Sequence, residues 1–378
     1  MSTRLRIAVL VDPLTALVTD AAHPRALCAQ LSALGHAVEL FGSANLARRD
    51  EVGAARRAPV GASLTAFAPE LVIAYDALSP AAWMGARAAS RAGAALVVVE
   101  AGAWAEGRPA QRALWRVGAR LWGRYVRRRT WAALALEPQA AARLREQGFS
   151  HDQIELLAYG VDLDAHRPGR ASEELARRRI GGRILSARTH HARPESIEAL
   201  IEGFAATVGQ RDDWSLVLVG DGSPQPRVLK CAYRAGVGGR THFLTLPDEA
   251  LAPLLSSSTL YASVGDDGAQ AVGDVERALA CGTPVLAVDG TRPALLVEHD
   301  VRGLRVERGD ARAWSAALSR ASSAPQARKR WSLAARQFAV EQLGWRRICD
   351  AVVEAAATRP ELRDAAADHV APRNAARA

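Results

Sequence analysis

Short continuous apolar runs alternate along the chain with segments in which apolar residues recur at helical spacing. The run "RIAVLV" (6–11) has the length of a buried strand, and Leu27, Leu31 and Leu34 then share one face of a helix that ends at Gly35. The segment "AVELF" follows as a second strand. Strand, helix and strand in this order predict the repeating unit of a parallel sheet.

The same alternation continues in two series, which predicts two α/β domains. In the first series the strands "PELVIAYDA" (69–77) and "AALVVVEAG" (94–102) flank a helix, and in the second "GRILSAR" (182–188) and "WSLVLVGDG" (214–222) do so. We therefore predict two doubly wound Rossmann-like domains that face a central cleft. Ligands are expected to bind there, outside the carboxyl ends of the strands.

The predicted division falls in the segment with Pro and Gly that precedes the second series. In this prediction residues 1–170 form the N-terminal domain and residues 171–345 the C-terminal domain. A final helical stretch spans roughly 325–357, and the helix of residues 346–358 is expected to pack back on the N-terminal domain. Residues 359–378 have no sustained apolar period and are expected to be disordered.

Charge and cysteine usage restrict the partners and the setting. The net charge of +9 comes almost entirely from arginine, which favours anionic ligands such as sugar nucleotides, phospholipid surfaces or nucleic acid. No nucleic-acid-binding motif is recognised, so a nucleic-acid partner is not expected. The four cysteines form no C-x-x-C pair, and no apolar run approaches the roughly 20 residues of a membrane span. A cytoplasmic protein is expected.

Several short segments, in order and at the right spacing, resemble the family 4 GT-B glycosyltransferases. "GVDLDAHRPGR" (160–170) resembles the end of that family's N-terminal domain. "LVLVGDGS" (216–223), "ALACGTPVLA" (278–287) and "VEHDVRGLRV" (297–306) resemble motifs of its C-terminal domain. The resemblance covers most of the chain and implies the GT-B fold.

The resemblance also implies an activity. Enzymes of this family transfer a sugar from a nucleoside diphosphate donor to a hydroxyl of a glycan or lipid-linked acceptor, with retention at the anomeric carbon. The C-terminal domain is expected to bind the donor and the N-terminal domain the acceptor. No metal and no cofactor is expected, since fixed cations and helix N-terminal amides stabilise the departing diphosphate and the nucleotide sugar is a substrate.

The loop after the first strand of the second series carries the candidate diphosphate ligands. Arg188 and Arg193 match an arginine and a lysine of the resembling family, and Gly268 is assigned with them. The alternative is that both are solvated arginines in an arginine-rich chain. The adjacent His190 and His191 have no carboxylate or thiol at ligand spacing, so they do not predict a metal site.

The turn of Gly220, Asp221 and Gly222 follows a predicted strand. In the resembling family this turn lines the nucleotide pocket, whereas a plain tight turn is the alternative. Gln225 stands where a dinucleotide-binding fingerprint would have its third glycine, which argues against a nicotinamide enzyme.

The chain departs from the family where the resemblance places catalysis. Glu100 stands in place of a histidine, and Ala269 and Arg277 stand in place of a pair of glutamates. A carboxylate accepts hydrogen bonds from ribose hydroxyls, but arginine accepts none. We therefore assign Glu100 and Asp267 as catalytic candidates, with Glu276 and Arg277 as candidates for contact with the nucleotide.

These departures leave two functions open. The first is an active glycosyltransferase in which Glu276 takes over the ribose contact. The second is a GT-B-shaped protein that has lost transfer activity and serves in binding or assembly. For Glu276 itself, the alternative to a ribose contact is a surface acid near the first turn of a helix, where negative charge is mildly favoured.

A basic aromatic segment, "WRVGARLWGRYVRRRT" (115–130), is predicted to be helical. Its arginines at 116, 120, 124 and 127 alternate with two tryptophans and a tyrosine. Such a helix can lie on an anionic membrane, at the inner face where lipid-linked acceptors are found. The alternative is a helix that packs by its apolar side and leaves a solvated arginine face.

Overall fold

A computed structural model describes residues 4–12, 22–42, 60–101, 116–190, 192–208, 213–222, 225–264, 269–307 and 309–357. The chain divides into two compact units. Unit 1 comprises Met1–Tyr159 and Arg346–Ala378, and unit 2 comprises Gly160–Trp345. Within the described ranges, no helix is both long and apolar enough to cross a bilayer.

Unit 1 is built on a sheet in which six described strands pair in parallel, in the order β2-β1-β3-β4-β5-β6. The strands are β1 (Arg6–Leu10), β2 (Ala37–Phe41), β3 (Leu71–Tyr75), β4 (Ala95–Glu100), β5 (Ala132–Ala135) and β6 (Ile154–Leu156). Its helices are α1 (Ala22–Ala33), α2 (Val60–Phe67), α3 (Pro80–Ala92), α4 (Arg124–Arg129) and α5 (Pro138–Glu146), and a π-helical segment (Ala119–Gly123) leads into α4. Every residue of β3 and β4 is buried, as expected for strands covered on both faces.

The start and end of α3 show how the sequence sets these elements. The Ser79 hydroxyl accepts a hydrogen bond from the Ala82 N–H at 3.0 Å, and Pro80 occupies the first helical position. Gly93 ends the helix in the left-handed conformation, with φ of 66°. The helix lies against the sheet at Gly85, where an added Cβ would be 3.2 Å from a methyl carbon of Val72.

Unit 2 repeats the architecture with six described parallel strands in the order β12-β11-β10-β7-β8-β9. They are β7 (Arg183–Arg188), β8 (Trp214–Val219), β9 (Thr241–Leu244), β10 (Leu260–Ser263), β11 (Val285–Val288) and β12 (Gly303–Val306). The helices are α6 (Glu173–Arg177), α7 (Pro194–Thr207), α8 (Pro226–Arg234), α9 (Asp248–Ser257), α10 (Ala269–Ala280), α11 (Ala311–Ser323) and α12 (Pro325–Phe338). The prediction of two doubly wound α/β sheets is confirmed.

The Cys-Gly-Thr-Pro turn connects α10 to β11. Gly282 has φ of 70°, its N–H bonds to the Leu279 carbonyl, and the Thr283 N–H bonds to the Ala278 carbonyl. This pair of bonds is the Schellman helix ending, which favours glycine at the left-handed position. The Thr283 hydroxyl then donates to the Leu255 carbonyl and fixes α10 against α9.

The boundary between the units differs from the predicted one. Residues 160–170, predicted to close the N-terminal domain, group with unit 2. The Val161 N–H bonds to the Leu343 carbonyl at 2.8 Å, and Val161 forms a bridge with Gly344. The Arg336 guanidinium adds a hydrogen bond to the His166 carbonyl at 2.9 Å. These bonds pair the segment with residues near the end of unit 2, which are far from it in the sequence.

The predicted single helical stretch 325–357 is interrupted. After α12, a π-helical segment (Ala339–Leu343) precedes Gly344, which is extended with φ of −69° and ψ of 138°. The chain then continues as α13 (Trp345–Ala357), which from Arg346 onward groups with unit 1. Residues 358–378, which contain the predicted disordered tail, lie outside the described residues.

Candidate functional site

The carboxyl ends of three neighbouring strands, β10, β7 and β8, form the candidate site in unit 2. Arg188 ends β7 and Ser263 ends β10, and both line a small pocket. Tyr261, Gln270 and Asp274 line the same pocket, the last two from α10. The carboxyl edge of a parallel sheet is where α/β proteins bind ligands.

An ion cluster of three side chains lies at this pocket. One carboxylate oxygen of Asp274 accepts a hydrogen bond from Nη1 of Arg188 and another from Nη1 of Arg277, each at 3.0 Å. The side chains of Asp274 and Arg188 are 6% and 13% exposed, whereas that of Arg277 is 36% exposed. We call these residues the Arg–Asp–Arg cluster. It carries two guanidinium groups on one carboxylate, so its net charge is positive when all three are ionised.

Burial and charge oppose each other within this cluster. Burial raises the pKa of Asp274, and the guanidinium groups of Arg188 and Arg277 act in the opposite direction. Burial alone would lower the pKa of Arg188, but the Asp274 carboxylate raises it above its ordinary value. Because one oxygen accepts from two guanidinium groups at hydrogen-bond distance, we take Asp274 to be ionised at neutral pH.

The loops that follow β7 and β8 are joined to each other. His190 Nδ1 pairs with the Asp221 carboxylate, and the Thr189 hydroxyl donates to the Val219 carbonyl at 3.2 Å. A Cβ on Gly220 would lie 2.7 Å from the Thr189 hydroxyl oxygen, so a larger residue here would have to displace that hydroxyl. Gly222 is exposed with open space around it. The predicted nucleotide turn therefore has a constrained first glycine and an open second one.

Arg193 occupies a different position from Arg188. It is exposed and is the N-cap residue of α7, with Pro194 at the first helical position and the acidic Glu195 in the first turn. The predicted diphosphate pair therefore consists of Arg188, held by Asp274, and Arg193, open to solvent at a helix N-terminus.

The side chains of Glu276 and Arg277 have different surroundings. Glu276 is 1% exposed, whereas Arg277 lies beside Asp274 and is more than a third exposed. Neighbouring positions on a helix point about 100° apart, and here that rotation separates a buried acid from a partly exposed cation that binds Asp274. Of the assigned residues, Asp267 and Gly268 lie outside the described residues.

The carboxyl edge of the unit 1 sheet carries buried acids. Glu100 is 1% exposed, and its Oε2 accepts a hydrogen bond from the Ala77 N–H at 3.2 Å. Asp12, Asp76 and Glu137 follow β1, β3 and β5 and are also buried. Glu137 pairs with Arg143 at 3.0 Å, and Asp76 has left-handed φ of 57°. The catalytic role assigned to Glu100 stays a prediction, and its carboxylate binds the backbone of its own unit.

A histidine and two tyrosines lie together in unit 1. His23 Nδ1 is 2.7 Å from the hydroxyl of Tyr75, and its ring meets that of Tyr159 edge-on at 5.8 Å. Burial lowers the pKa of His23 to about 4, so the ring is neutral at physiological pH.

Several residues at the unit 2 pocket were not among the sequence candidates, including Asp274, Tyr261 and Gln270. For Asp274 a signal existed, because it lies three residues before Arg277 and so shares its helical face. Tyr261 lies inside an apolar strand, and nothing in its sequence context distinguishes it from a core residue. Among the described residues, no group of three or more His, Cys, Asp or Glu side chains is arranged to hold a metal ion.

Residues 181–323 match the family model of "Glycosyl transferases group 1". The matched range lies within unit 2 and contains the whole Arg–Asp–Arg cluster. A D-inositol 3-phosphate glycosyltransferase of Saccharomonospora viridis is 30% identical over 218 residues, 54% of this chain and 49% of that relative. The match thus spans about half the length of the curated relative.

Solved structures resemble the chain over nearly its full length. A glycosyltransferase from Rickettsia africae superposes with a TM-score of 0.71 at 14% identity, covering 95% of this chain and 100% of that one. The Anabaena protein HepE, crystallised with UDP and glucose, superposes with a TM-score of 0.63 at 17% identity, covering 94% and 100%. At such identities the likeness concerns the fold. Residues 181–323 are thus similar to the group 1 glycosyltransferases, and the fold of the chain is that of GT-B enzymes.

Proposed function

We propose that the protein transfers a sugar from a nucleoside diphosphate sugar to a hydroxyl of a glycan or lipid-linked acceptor. The observation that carries this proposal is the Arg–Asp–Arg cluster at the carboxyl edge of the unit 2 sheet, inside the family-matched range. The breaking glycosidic bond leaves a diphosphate, whose growing negative charge requires fixed positive groups. Arg188, Arg193 and the N-terminal amides of α7 are suited to supply them.

Asp274 acts in this proposal as a positioning residue. It holds Arg188 and Arg277 at one oxygen, so both guanidinium groups are oriented before an anion arrives. A preorganised cation costs less to align when the leaving group departs than one that must first be ordered. Arg277 thereby replaces a ribose-binding carboxylate with a group that favours phosphate oxygens over hydroxyls.

The nucleotide is proposed to lie against the turn of Gly220–Gly222. The open surroundings of Gly222 leave room beside the chain, and the bond between His190 and Asp221 fixes the loops on either side. One structural neighbour supports a uridine nucleotide as the first donor to test, since HepE was crystallised both with UDP and glucose and with UDP-glucose.

Retention at the anomeric carbon and independence of metal belong to the same proposal. Fixed guanidinium groups offer an electrostatic substitute for a divalent cation at the diphosphate. Activity is expected to survive an excess of chelator, and NMR of the product is expected to show the anomeric configuration of the donor. Loss of activity with chelator that added Mg²⁺ restores would contradict this part.

One observation favours a second function, that of a binding or assembly protein without transfer activity. Glu276 is buried rather than directed at the pocket, and Arg277 is held by Asp274. If the ribose contact depends on a carboxylate, the described carboxylate at the pocket is Asp274, and two guanidinium groups already bind it. In that case no sugar is transferred, whether or not an anion binds at Arg193.

Calorimetric titration of the full chain with UDP, GDP and their sugar conjugates separates the two functions. Binding of a nucleotide sugar, followed by its slow hydrolysis or transfer, is expected for the enzyme. Absence of binding by every nucleotide at millimolar concentration would sink the proposal of a glycosyltransferase. Binding without any turnover over days, in the presence of candidate acceptors, would favour the second function.

The variant Arg193→Ala tests the diphosphate contact. Removing a charged hydrogen bond to phosphate should weaken UDP by about tenfold or more while leaving uridine unchanged. Arg234→Ala is the matched control, because Arg234 is exposed in the last turn of α8, which runs back toward the opposite edge of the sheet. Equal weakening of UDP and uridine, or an equal effect of the control, would contradict the assigned role.

A further inference from the structure

A face of unit 1 combines many arginines with protruding apolar side chains. It is formed by α3 together with the helical residues 116–129. Its exposed arginines are Arg87, Arg91, Arg116, Arg120, Arg124, Arg128 and Arg129. Neither α3 nor residues 116–129 contain an aspartate or glutamate. We call this surface the arginine face. It carries a positive charge that no acid of its own two segments offsets.

Two apolar residues project from the arginine face. Leu121 is 72% exposed and Val117 is 48% exposed, and their four-residue spacing brings them together on a helix. Leu121 also borders a surface groove with Trp83, Trp122 and Tyr125. The guanidinium of Arg87 lies 5.0 Å from the centre of the Trp83 ring. The face therefore has an apolar centre surrounded by cations.

The packing of residues 116–129 fixes this exposure. Trp122 Nε1 donates to the Leu78 carbonyl at 3.1 Å, and its ring lies 6.2 Å from that of Trp83. A Cβ on Gly118 would lie 2.6 Å from the Trp122 ring, so glycine allows the indole to fold back there. With Trp122 directed at unit 1, the π-helical turn cannot rotate Leu121 inward. Its exposure is thus a consequence of the anchored tryptophan.

We propose that the arginine face docks on an anionic lipid bilayer, with Leu121 and Val117 inserted among the acyl chains. Arginines attract acidic headgroups, and apolar side chains between them gain by leaving water. Nucleic acid would be attracted by the same charge, but its phosphate backbone has no apolar surface against which an exposed leucine could pack. A second copy of the chain is disfavoured because two arginine faces repel each other.

Docking would place unit 1 at the surface where a lipid-linked acceptor is anchored. This acceptor assignment rests on the proposed sugar transfer, whereas docking itself does not. The narrower acceptor class, a membrane-anchored hydroxyl rather than a free glycan, then follows for the proposed reaction.

Co-sedimentation of the full chain with vesicles tests the docking. Vesicles of phosphatidylcholine with phosphatidylglycerol are expected to bind the protein, and vesicles of phosphatidylcholine alone are not. The double variant Arg120→Gln/Arg124→Gln should weaken binding by about tenfold or more, and added salt should weaken the unmodified chain likewise. Equal binding to both vesicle types would overturn the proposal.

The variant Leu121→Glu tests insertion separately from charge. Leu333→Glu is its matched control, because Leu333 is 66% exposed on α12, also next to the basic side chains Lys329 and Arg330. Leu121→Glu is expected to abolish most binding and Leu333→Glu to leave it unchanged. Equal effects of the two variants would overturn the bilayer as occupant. So would a chain that does not bind vesicles but binds a single-stranded RNA, if Leu121→Glu leaves that RNA binding intact.

Calorimetry with UDP on the same two variants keeps this proposal separate from the proposed function. Unchanged UDP binding together with lost vesicle binding supports docking and leaves the donor site untouched. Vesicle binding by a chain that binds no nucleotide would support docking while contradicting the proposed transfer. UDP binding by a chain that ignores acidic vesicles would overturn docking alone.

Discussion

The two sheets share an architecture but pair the charged groups at their carboxyl edges differently. In unit 1, Asp12, Asp76, Glu100 and Glu137 end or follow neighbouring strands and are buried. In unit 2, the corresponding edge presents arginines, one held by a buried acid and another open to solvent. Glu100 accepts from the Ala77 N–H and Glu137 pairs with Arg143, so both acids bind groups within the unit.

This contrast teaches that the strand order of a doubly wound sheet does not decide its chemistry. The same edge supplies either internal hydrogen bonds that tie loops to strands or a cationic surface for an anion. The outcome depends on whether the charge of each side chain is fully balanced by a partner inside the unit. In unit 2 the partner is shared by two arginines, so positive charge is left over.

The largest effect is expected from Asp274→Ala. It leaves Arg188, only 13% exposed in its side chain, without its ion partner, and should lower the free energy of unfolding by about 3 kcal/mol or more. Urea denaturation measures this. The comparison variant Glu198→Ala removes a surface partner of Arg227 and should leave the urea midpoint unchanged. A loss as small for Asp274→Ala as for Glu198→Ala would show that the cluster is not buried as described.

The pH dependence of stability should distinguish unit 1 from unit 2. The pKa of His23 is lowered to about 4 in the folded state, while in the unfolded chain it is 6.5. Between these pH values the unfolded chain binds more protons than the folded chain. The contribution of His23 to the free energy of unfolding is therefore complete above pH 6.5 and is lost as the pH falls toward 4. Since His23 as a whole is half-buried, we expect a loss of about 2 kcal/mol across this window.

Urea denaturation at pH 7 and at pH 4.5 gives the measurement. In His23→Gln, the part of the pH dependence that the histidine causes should disappear. His151→Gln serves as the control, since His151 is exposed in the 3-10 turn before β6. A slope that survives in His23→Gln would assign the acid sensitivity to the buried carboxylates instead.

A smaller effect is expected from Glu100→Ala. It leaves the buried Ala77 N–H without its acceptor and should cost about 1 to 2 kcal/mol in urea denaturation. Glu100→Gln keeps an acceptor oxygen in place and should cost less. A rise in stability on Glu100→Ala would indicate that the carboxylate is held in place at a cost in stability, as expected of a catalytic group. In that case the carboxyl edge of unit 1 would also carry a functional charge, as proposed for unit 2.

Much of this fold was predictable because buried parallel strands are continuous apolar runs. Segments such as "RIAVLV" and "WSLVLV" indicate buried strands by their composition alone. Gly282 indicates the end of α10, where it adopts the left-handed conformation. The break at Gly344 was not predictable from helical spacing, because the bridge with Val161 that extends this residue joins distant parts of the sequence.

The site was predictable only in part, for a related reason. Arg188 and the Gly220–Gly222 turn follow strands, so their position at the sheet edge follows from the pattern. The pairing of Arg188 with Asp274 depends on which face of α10 meets β7, and spacing alone does not fix that rotation. The same rotation of α10 buries Glu276 and brings Arg277 to Asp274.

The meeting of Val161 with Gly344 has a consequence for how the polypeptide is organised. The first and last residues of unit 2 lie side by side, as in a domain inserted into a loop of a host. A chain whose ends already touch loses little closure entropy when it is cut out or when a short linker joins those ends. Unit 2 should therefore fold when produced alone, and a circular permutant opened at an exposed loop should keep its core.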